Sequence, residues 1–212
     1  MRITVFGATG GIGGHVVRQA LDAGHKVTAV VRASSAFELE HSALEVVRVP
    51  GLDHAGPLRD AVDGAEAVVS GVGARGRKDG PVASNSTRSM LAAMEAAGVR
   101  RFVAISAAPL GPVPADESFL NRRVVYPMIN AFAADVYADL RVMEAAIMSS
   151  STEWTIVRPP KLTNKSLTGT YRTVVGGTVT RGYSISRADV AQLMLAVLDD
   201  PATVNQPVGV AY

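Results

Sequence analysis

Short apolar runs and amphipathic stretches alternate along almost the whole chain. Residues 2–6 (RITVF) predict a first strand, and residues 12–23 then carry Ile12, Val16, Ala20 and Leu21 on one side of a helix. The run HKVTAVVR at 25–32 is apolar without alternation, which predicts a strand covered on both faces. LEVVRV at 44–49 predicts a third strand, a short helix opens at 57–61, and AEAVVSGVG at 65–73 predicts a fourth strand running into a glycine-rich bend. Met90, Leu91, Met94 and Ala97 mark a helix over 85–97, followed by the strand RRFVAIS at 100–106. Val136, Leu140, Met143 and Ile147 form the apolar stripe of a helix over 133–149, which leads into the strand WTIVRP at 154–159, with Trp154 assigned to the core.

Two stretches break this rhythm. Residues 107–131 have four prolines and no period, and loops of that length in compact domains tend to be functional. The segment TGTYRTVVGGTVTRGYSIS predicts a two-stranded excursion turning at Gly176-Gly177. Ser186 with Asp189 three residues later forms a capping box for a last helix carrying Val190, Leu193, Met194 and Val197, and a strand at 207–211 closes the chain.

Alternation of this kind predicts an α/β fold with a doubly wound, mostly parallel sheet and helices on both faces. Ligands of such sheets bind at the carboxyl ends of the strands, where strand order reverses. With 212 residues and 48% hydrophobic content the chain is expected to be one domain. The elements at 107–131 and 160–186 are expected on its substrate side.

Composition removes several classes. There is no cysteine, so disulfides, thiolate nucleophiles and sulfur-ligated metals are excluded, and His15, His25, His41 and His54 have no ligand spacing. The net charge is only +2. No basic run is longer than Arg100-Arg101 or Arg122-Arg123, apart from the glycine-spaced Arg75, Arg77 and Lys78, and none is interleaved with aromatics, so no nucleic-acid partner is expected. The chain enters a strand at once and has no apolar run of membrane length, so the expectation is a cytoplasmic protein with no membrane partner. Aromatic residues are sparse and mark no dimer face, consistent with a monomer or weak homodimer.

The chemistry concentrates in VFGATGGIGG, residues 5–14. Gly7, Gly10 and Gly13 give a GxxGxxG spacing between a strand and a helix. Gly7 permits a tight turn, Gly10 lets backbone approach a pyrophosphate, and Gly13 lets the helix sit close to the sheet. Thr9 offers a hydroxyl. No Lys-Ser or Lys-Thr follows, which excludes a nucleotide triphosphatase loop. The second strand ends Val30-Val31-Arg32 where an NAD site has a carboxylate; a guanidinium pairs with a 2′-phosphate, so the pattern favours NADP(H) over NAD(H). Arg75 is a second candidate for that phosphate.

GATGGIGG, VVR at the end of strand two, and RPP followed by LTGTY together resemble the atypical short-chain dehydrogenases/reductases, specifically the NADPH-dependent flavin reductase/biliverdin reductase B type. The resemblance spans the chain and implies a single Rossmann-like domain that binds NADPH and reduces flavins or similar flat acceptors, flavin being a substrate and not a tightly held group. It implies that Gly7, Thr9, Gly10, Gly11, Ile12 and Gly13 hold the pyrophosphate and Arg32 the 2′-phosphate. It also implies that Leu52 and Asp53 cover the adenine and that Ser70, Gly71 and Val72 line the dinucleotide. Ser106, Pro160, Lys161 and Leu162 would then approach the nicotinamide.

Two departures bear on specificity. The family's mammalian member ends its fifth strand in Thr-Ser where this chain has Ser106-Ala107, and carries a histidine where this chain has Lys161. Both changes weaken biliverdin reduction, which needs a proton as well as a hydride. Flavin reduction asks mainly for stacking at reactive distance.

The candidate catalytic residues are therefore Ser106, Lys161 and Tyr137. Ser106 can orient the carboxamide, and Lys161 can draw an anionic acceptor. Tyr137 and Arg141 stand four apart on one helix face, an arrangement in which a cation lowers a phenol pKa, although Arg141 cannot shuttle a proton. Phe119, Tyr126 and Phe132 are candidates for a stacking wall. Two other functions stay open: a redox-sensing regulator that binds NADP(H) without turnover, and an epimerase or dehydratase, for which the carboxyl-terminal portion is short.

Overall fold

The structure, a computed structural model, describes residues 1–73, 80–114, 116–119, 123 and 133–212. In chain order the elements are β1 (Arg2–Phe6), α1 (Gly11–Asp22), β2 (Lys26–Arg32), β3 (Leu44–Val49), α2 (Gly56–Val62), β4 (Ala67–Ser70), α3 (Val82–Ala97) and β5 (Arg101–Ile105). They continue with α4 (Ala134–Met148), β6 (Glu153–Arg158), β7 (Lys161–Thr163), β8 (Arg172–Val175), β9 (Ser184–Ser186), α5 (Arg187–Ala196) and β10 (Gln206–Ala211). An eight-stranded sheet runs in the order β3-β2-β1-β4-β5-β6-β10-β8, parallel except for β8 at one edge.

Every residue of β4 and β5 is buried, as expected of strands covered on both faces. One core packs α1 and α5 on the sheet through Val16, Val17, Ala20, Val190, Leu193 and Met194. The other packs α2, α3 and α4 on the opposite face through Leu58, Met90, Met94, Met143 and Ile147, with Trp154 in the same cluster. The chain is thus a single α/β domain of Rossmann-like architecture. Order reverses between β1 and β4, which opens the crevice where α1 begins.

Buried Arg101 staples the far end of the sheet, donating to the carbonyls of Leu198, Val197 and Glu153 and to Thr155 Oγ1. Its pKa is lowered by desolvation, partly offset by Glu153, Asp199 and Asp200.

Two expectations are corrected. Residues 168–186 are not a hairpin: Gly176 does turn the chain with φ +75°, but β8 pairs antiparallel with β10, and β9 pairs in parallel with β7. The helix expected over 85–97 starts at Val82, because Asp139 of α4 accepts from the Ala83 and Ser84 N–H groups at 2.8 and 3.1 Å. That cap comes from a distant helix, so no local pattern reveals it.

Candidate functional site

β1 delivers the chain to Gly7, whose φ of +76° and surroundings both require glycine: a Cβ there would lie 2.9 Å from the Gly71 carbonyl carbon. A Cβ on Gly13 would lie 2.2 Å from Gly7 O. The loop and the exit of β4 therefore touch backbone to backbone. Gly10 N–H donates to Gly7 O at 2.8 Å and Gly14 N–H to Gly10 O at 2.9 Å, closing the turn and starting α1. Ser70 is buried beneath, and its Oγ accepts from Val72 N–H at 3.4 Å. Ile12 and Val72 are buried in the two cores on either side.

The helix ends near this edge differ in charge. The N-terminus of α3 is closed by Asp139, and that of α5 by Ser186 Oγ, which accepts from Asp189 N–H at 2.9 Å. At α1 the N-cap is Gly10, with no side-chain cap bond and no acid in the first turn. The positive end of α1 thus faces the switch point without a protein carboxylate on it, which is the arrangement that receives a phosphate group. The close backbone approach at Gly7, Gly13 and Gly71, with the uncapped N–H end of α1, gives a cradle that fits a pyrophosphate.

Arg32 is exposed at the carboxyl end of β2, and its carbonyl accepts from Ser35 N–H at 2.9 Å. Arg48 fastens the same turn by donating to Ser35 O at 3.0 Å. Leu52 is half-buried and Asp53 exposed in the loop after β3, both at the same sheet edge. Arg75, the second candidate for the 2′-phosphate, lies outside the described residues, as do Tyr126 and Phe132.

Ser106 follows β5 and is buried; its N–H donates to Val157 O at 2.8 Å. Its Oγ and Thr178 Oγ1 are, among the described residues, the buried side-chain polar atoms with no partner. A buried hydroxyl in that state is costly unless a ligand or an ordered water completes it. Pro160 and Leu162 flank exposed Lys161 at the start of β7, just beyond the adjoining strand end.

Tyr137 is half-buried, and burial pushes its phenol above the ordinary value. Arg141, four residues along the same helix, is exposed. Phe119 is 76% exposed, with the Arg123 guanidinium 6.0 Å from its ring centre, and so does not form an enclosed wall with described neighbours. A groove of about 560 Å³ between α3 and α4, lined by residues such as Pro81, Arg88, Asp135 and Val142, shares nothing with the glycine loop or Ser106.

The chain pattern did not announce three features. Glu144 pairs with Arg158 at the end of β6 through two bonds. Asp189 completes only half of the expected capping box, since Ser186 N–H donates to Tyr212 Oη instead of to Asp189. The buried Asp189 carboxylate accepts from Thr168 N–H, Gly169 N–H, Ser186 Oγ and Tyr212 Oη. Those bonds depress its pKa from 3.8 to about 2 against the opposing effect of burial. Arg187, beside it, lies over Gly11. Among the described residues no cluster of His, Asp and Glu fits a metal ion, and no helix is long and apolar enough to cross a membrane.

Residues 7–201 match the family model described as NAD(P)H-binding. An uncharacterised chloroplastic protein of Arabidopsis thaliana is 31% identical over 206 residues, covering 93% of this chain and 71% of its own. In fold the chain is similar to a short-chain dehydrogenase/reductase of Veillonella parvula solved in complex with NADP, with a TM-score of 0.82, 20% identity and 100% and 94% of the two chains covered. It is also similar to the oxidoreductase ylbE of Lactococcus lactis, with a TM-score of 0.79, 17% identity and coverage of 100% and 90%.

Proposed function

The chain belongs to the NAD(P)H-binding family, and from that premise we propose that it is an NADPH-dependent reductase passing a hydride to a flavin or another flat conjugated acceptor. The observation that carries the reading is the pairing of an acid-free glycine cradle at the start of α1 with a buried, unpartnered Ser106 hydroxyl at the end of β5. One end of the site suits phosphates and the other lacks one polar partner.

Bound NADPH supplies the hydride. The N–H groups of the Gly7–Gly13 loop hold the pyrophosphate, and Arg32, open to solvent, takes the 2′-phosphate. Ser106 Oγ would donate to a polar group of the nicotinamide or the acceptor. Lys161, on the exposed rim, attracts an anionic acceptor such as a flavin phosphate. Burial keeps the Tyr137 phenol protonated, so in this reading any proton it supplies is as a donor. Orientation at reactive distance and exclusion of water supply the rate enhancement.

The reading is tested by steady-state oxidation of NADPH by the purified protein, with and without FMN or riboflavin and with NADH in parallel. Flavin-dependent turnover that prefers NADPH supports it. Tight NADPH binding with no acceptor-dependent oxidation would replace it with the redox-sensing regulator.

A further inference from the structure

The GxxGxxG spacing accounts for Gly7, Gly10 and Gly13 but leaves Gly11 unexplained. Gly11 is the first residue of α1, and its φ is not in the left-handed region, so the backbone does not demand glycine there. What occupies the space is Arg187: a Cβ on Gly11 would lie 2.6 Å from Arg187 Cδ and 2.9 Å from its Nε. Arg187 opens α5, and its Nη1 donates to Asn164 Oδ1 at 2.6 Å, just past β7. The guanidinium thus stands beside the open end of α1.

Its surroundings do not favour a cation. Arg187 is at the N-terminus of α5 and against the N-terminus of α1, so two positive helix ends flank it. Among the described residues, no carboxylate lies within ion-pair distance of it. Nearby Asp189 is already engaged by Thr168, Gly169, Ser186 and Tyr212. Asn164 supplies one neutral acceptor. An anion on the glycine loop would answer all three positive groups at once.

We propose that Arg187 is a clamp for the dinucleotide pyrophosphate, reaching from α5 across Gly11, with Asn164 positioning its guanidinium. This rests on the reading of the glycine loop as the NADP(H) site. The pyrophosphate is common to NADPH and NADH, so the clamp strengthens both, whereas Arg32 separates them. Gly11 is then glycine in order to admit the arginine.

Equilibrium titrations of wild type, Arg187→Gln and Arg187→Lys with NADPH, NADH and adenosine 2′-monophosphate test it, with thermal melts confirming that each variant is folded. Adenosine 2′-monophosphate carries the adenine and the 2′-phosphate but no pyrophosphate. Arg187→Gln is expected to weaken NADPH and NADH in parallel by about tenfold and to leave adenosine 2′-monophosphate unchanged, with Arg187→Lys recovering part of the loss. Unchanged dinucleotide binding, a gain in affinity, a loss confined to NADPH, or an equal loss for adenosine 2′-monophosphate would each overturn the clamp. Wild type that binds neither dinucleotide would instead overturn the site reading beneath it.

Discussion

The Glu144 carboxylate and the Arg158 guanidinium meet in a two-bond pair, Nε to Oε1 at 2.9 Å and Nη2 to Oε2 at 2.6 Å, with both side chains 8% exposed. The pair ties α4 to the last residue of β6, immediately before Pro159, Pro160 and Lys161. It therefore holds the end of β6 from which the segment carrying Lys161 departs. Removing one partner strands a buried charge, which costs about 3 kcal/mol. Glu144→Gln is expected to lower stability by roughly that amount in urea unfolding, and the double variant Glu144→Leu/Arg158→Met to recover most of it. A double variant no more stable than Glu144→Gln would contradict this account of the pair.

Asp189 gives the fold an acid limit. Its folded pKa of about 2 lies below the ordinary 3.8, so its stabilisation is complete above pH 3.8 and is lost as pH falls toward 2. Asp189→Asn is expected to be less stable than wild type at neutral pH by on the order of 2 kcal/mol, the scale of several charge-assisted hydrogen bonds. Urea midpoints measured from pH 5 down to about pH 2 should show that difference shrinking. A difference that stays constant over this range would mean the carboxylate charge is not what the network uses.

Arg32 sets cofactor preference in this account. Arg32→Glu places a carboxylate where a 2′-phosphate is proposed to sit, and is expected to raise the NADPH dissociation constant by about a hundredfold while changing that for NADH by about threefold or less. Fluorescence titration with both cofactors measures it. Equal weakening of the two would remove Arg32 from the 2′-phosphate site.

The backbone contact at the cradle makes a sharp pair of variants. Gly13→Ala drives a Cβ to 2.2 Å from Gly7 O and is expected to cost about 3 kcal/mol and to abolish NADPH binding. Gly24→Ala meets no atom within 4 Å and bears only the strain of φ +80°, about 1 kcal/mol, with binding retained. Thermal unfolding and titration of both variants check the contrast.

Much of the fold was legible from pattern alone, because most elements bury their own periodic face. LEVVRV forms a strand over Leu44–Val49 as read, and Leu140, Met143 and Ile147 face the core as their spacing implies. What stayed hidden depends on partners far along the chain. Gly176-Gly177 signals a turn, but nothing local says that β8 will pair with the C-terminal strand. Ser186 and Asp189 read as a capping box, yet Tyr212 takes the Ser186 N–H and frees the carboxylate for the loop at Thr168. Tyr137 and Arg141 have the right spacing for an activated phenol, but burial raises the phenol and Arg141 faces solvent. Arg187 looks like an ordinary charge at a helix start until the fold sets it against Gly11.

The most direct measurement of the central claim is anaerobic mixing of NADPH-saturated protein with oxidised FMN, followed by loss of the flavin absorbance. Bleaching is expected to saturate with FMN, to run far faster than in protein-free NADPH, and to slow when deuterium occupies the transferred position of the nicotinamide. Bleaching no faster than in the protein-free solution, from protein shown to be loaded with NADPH, would contradict it.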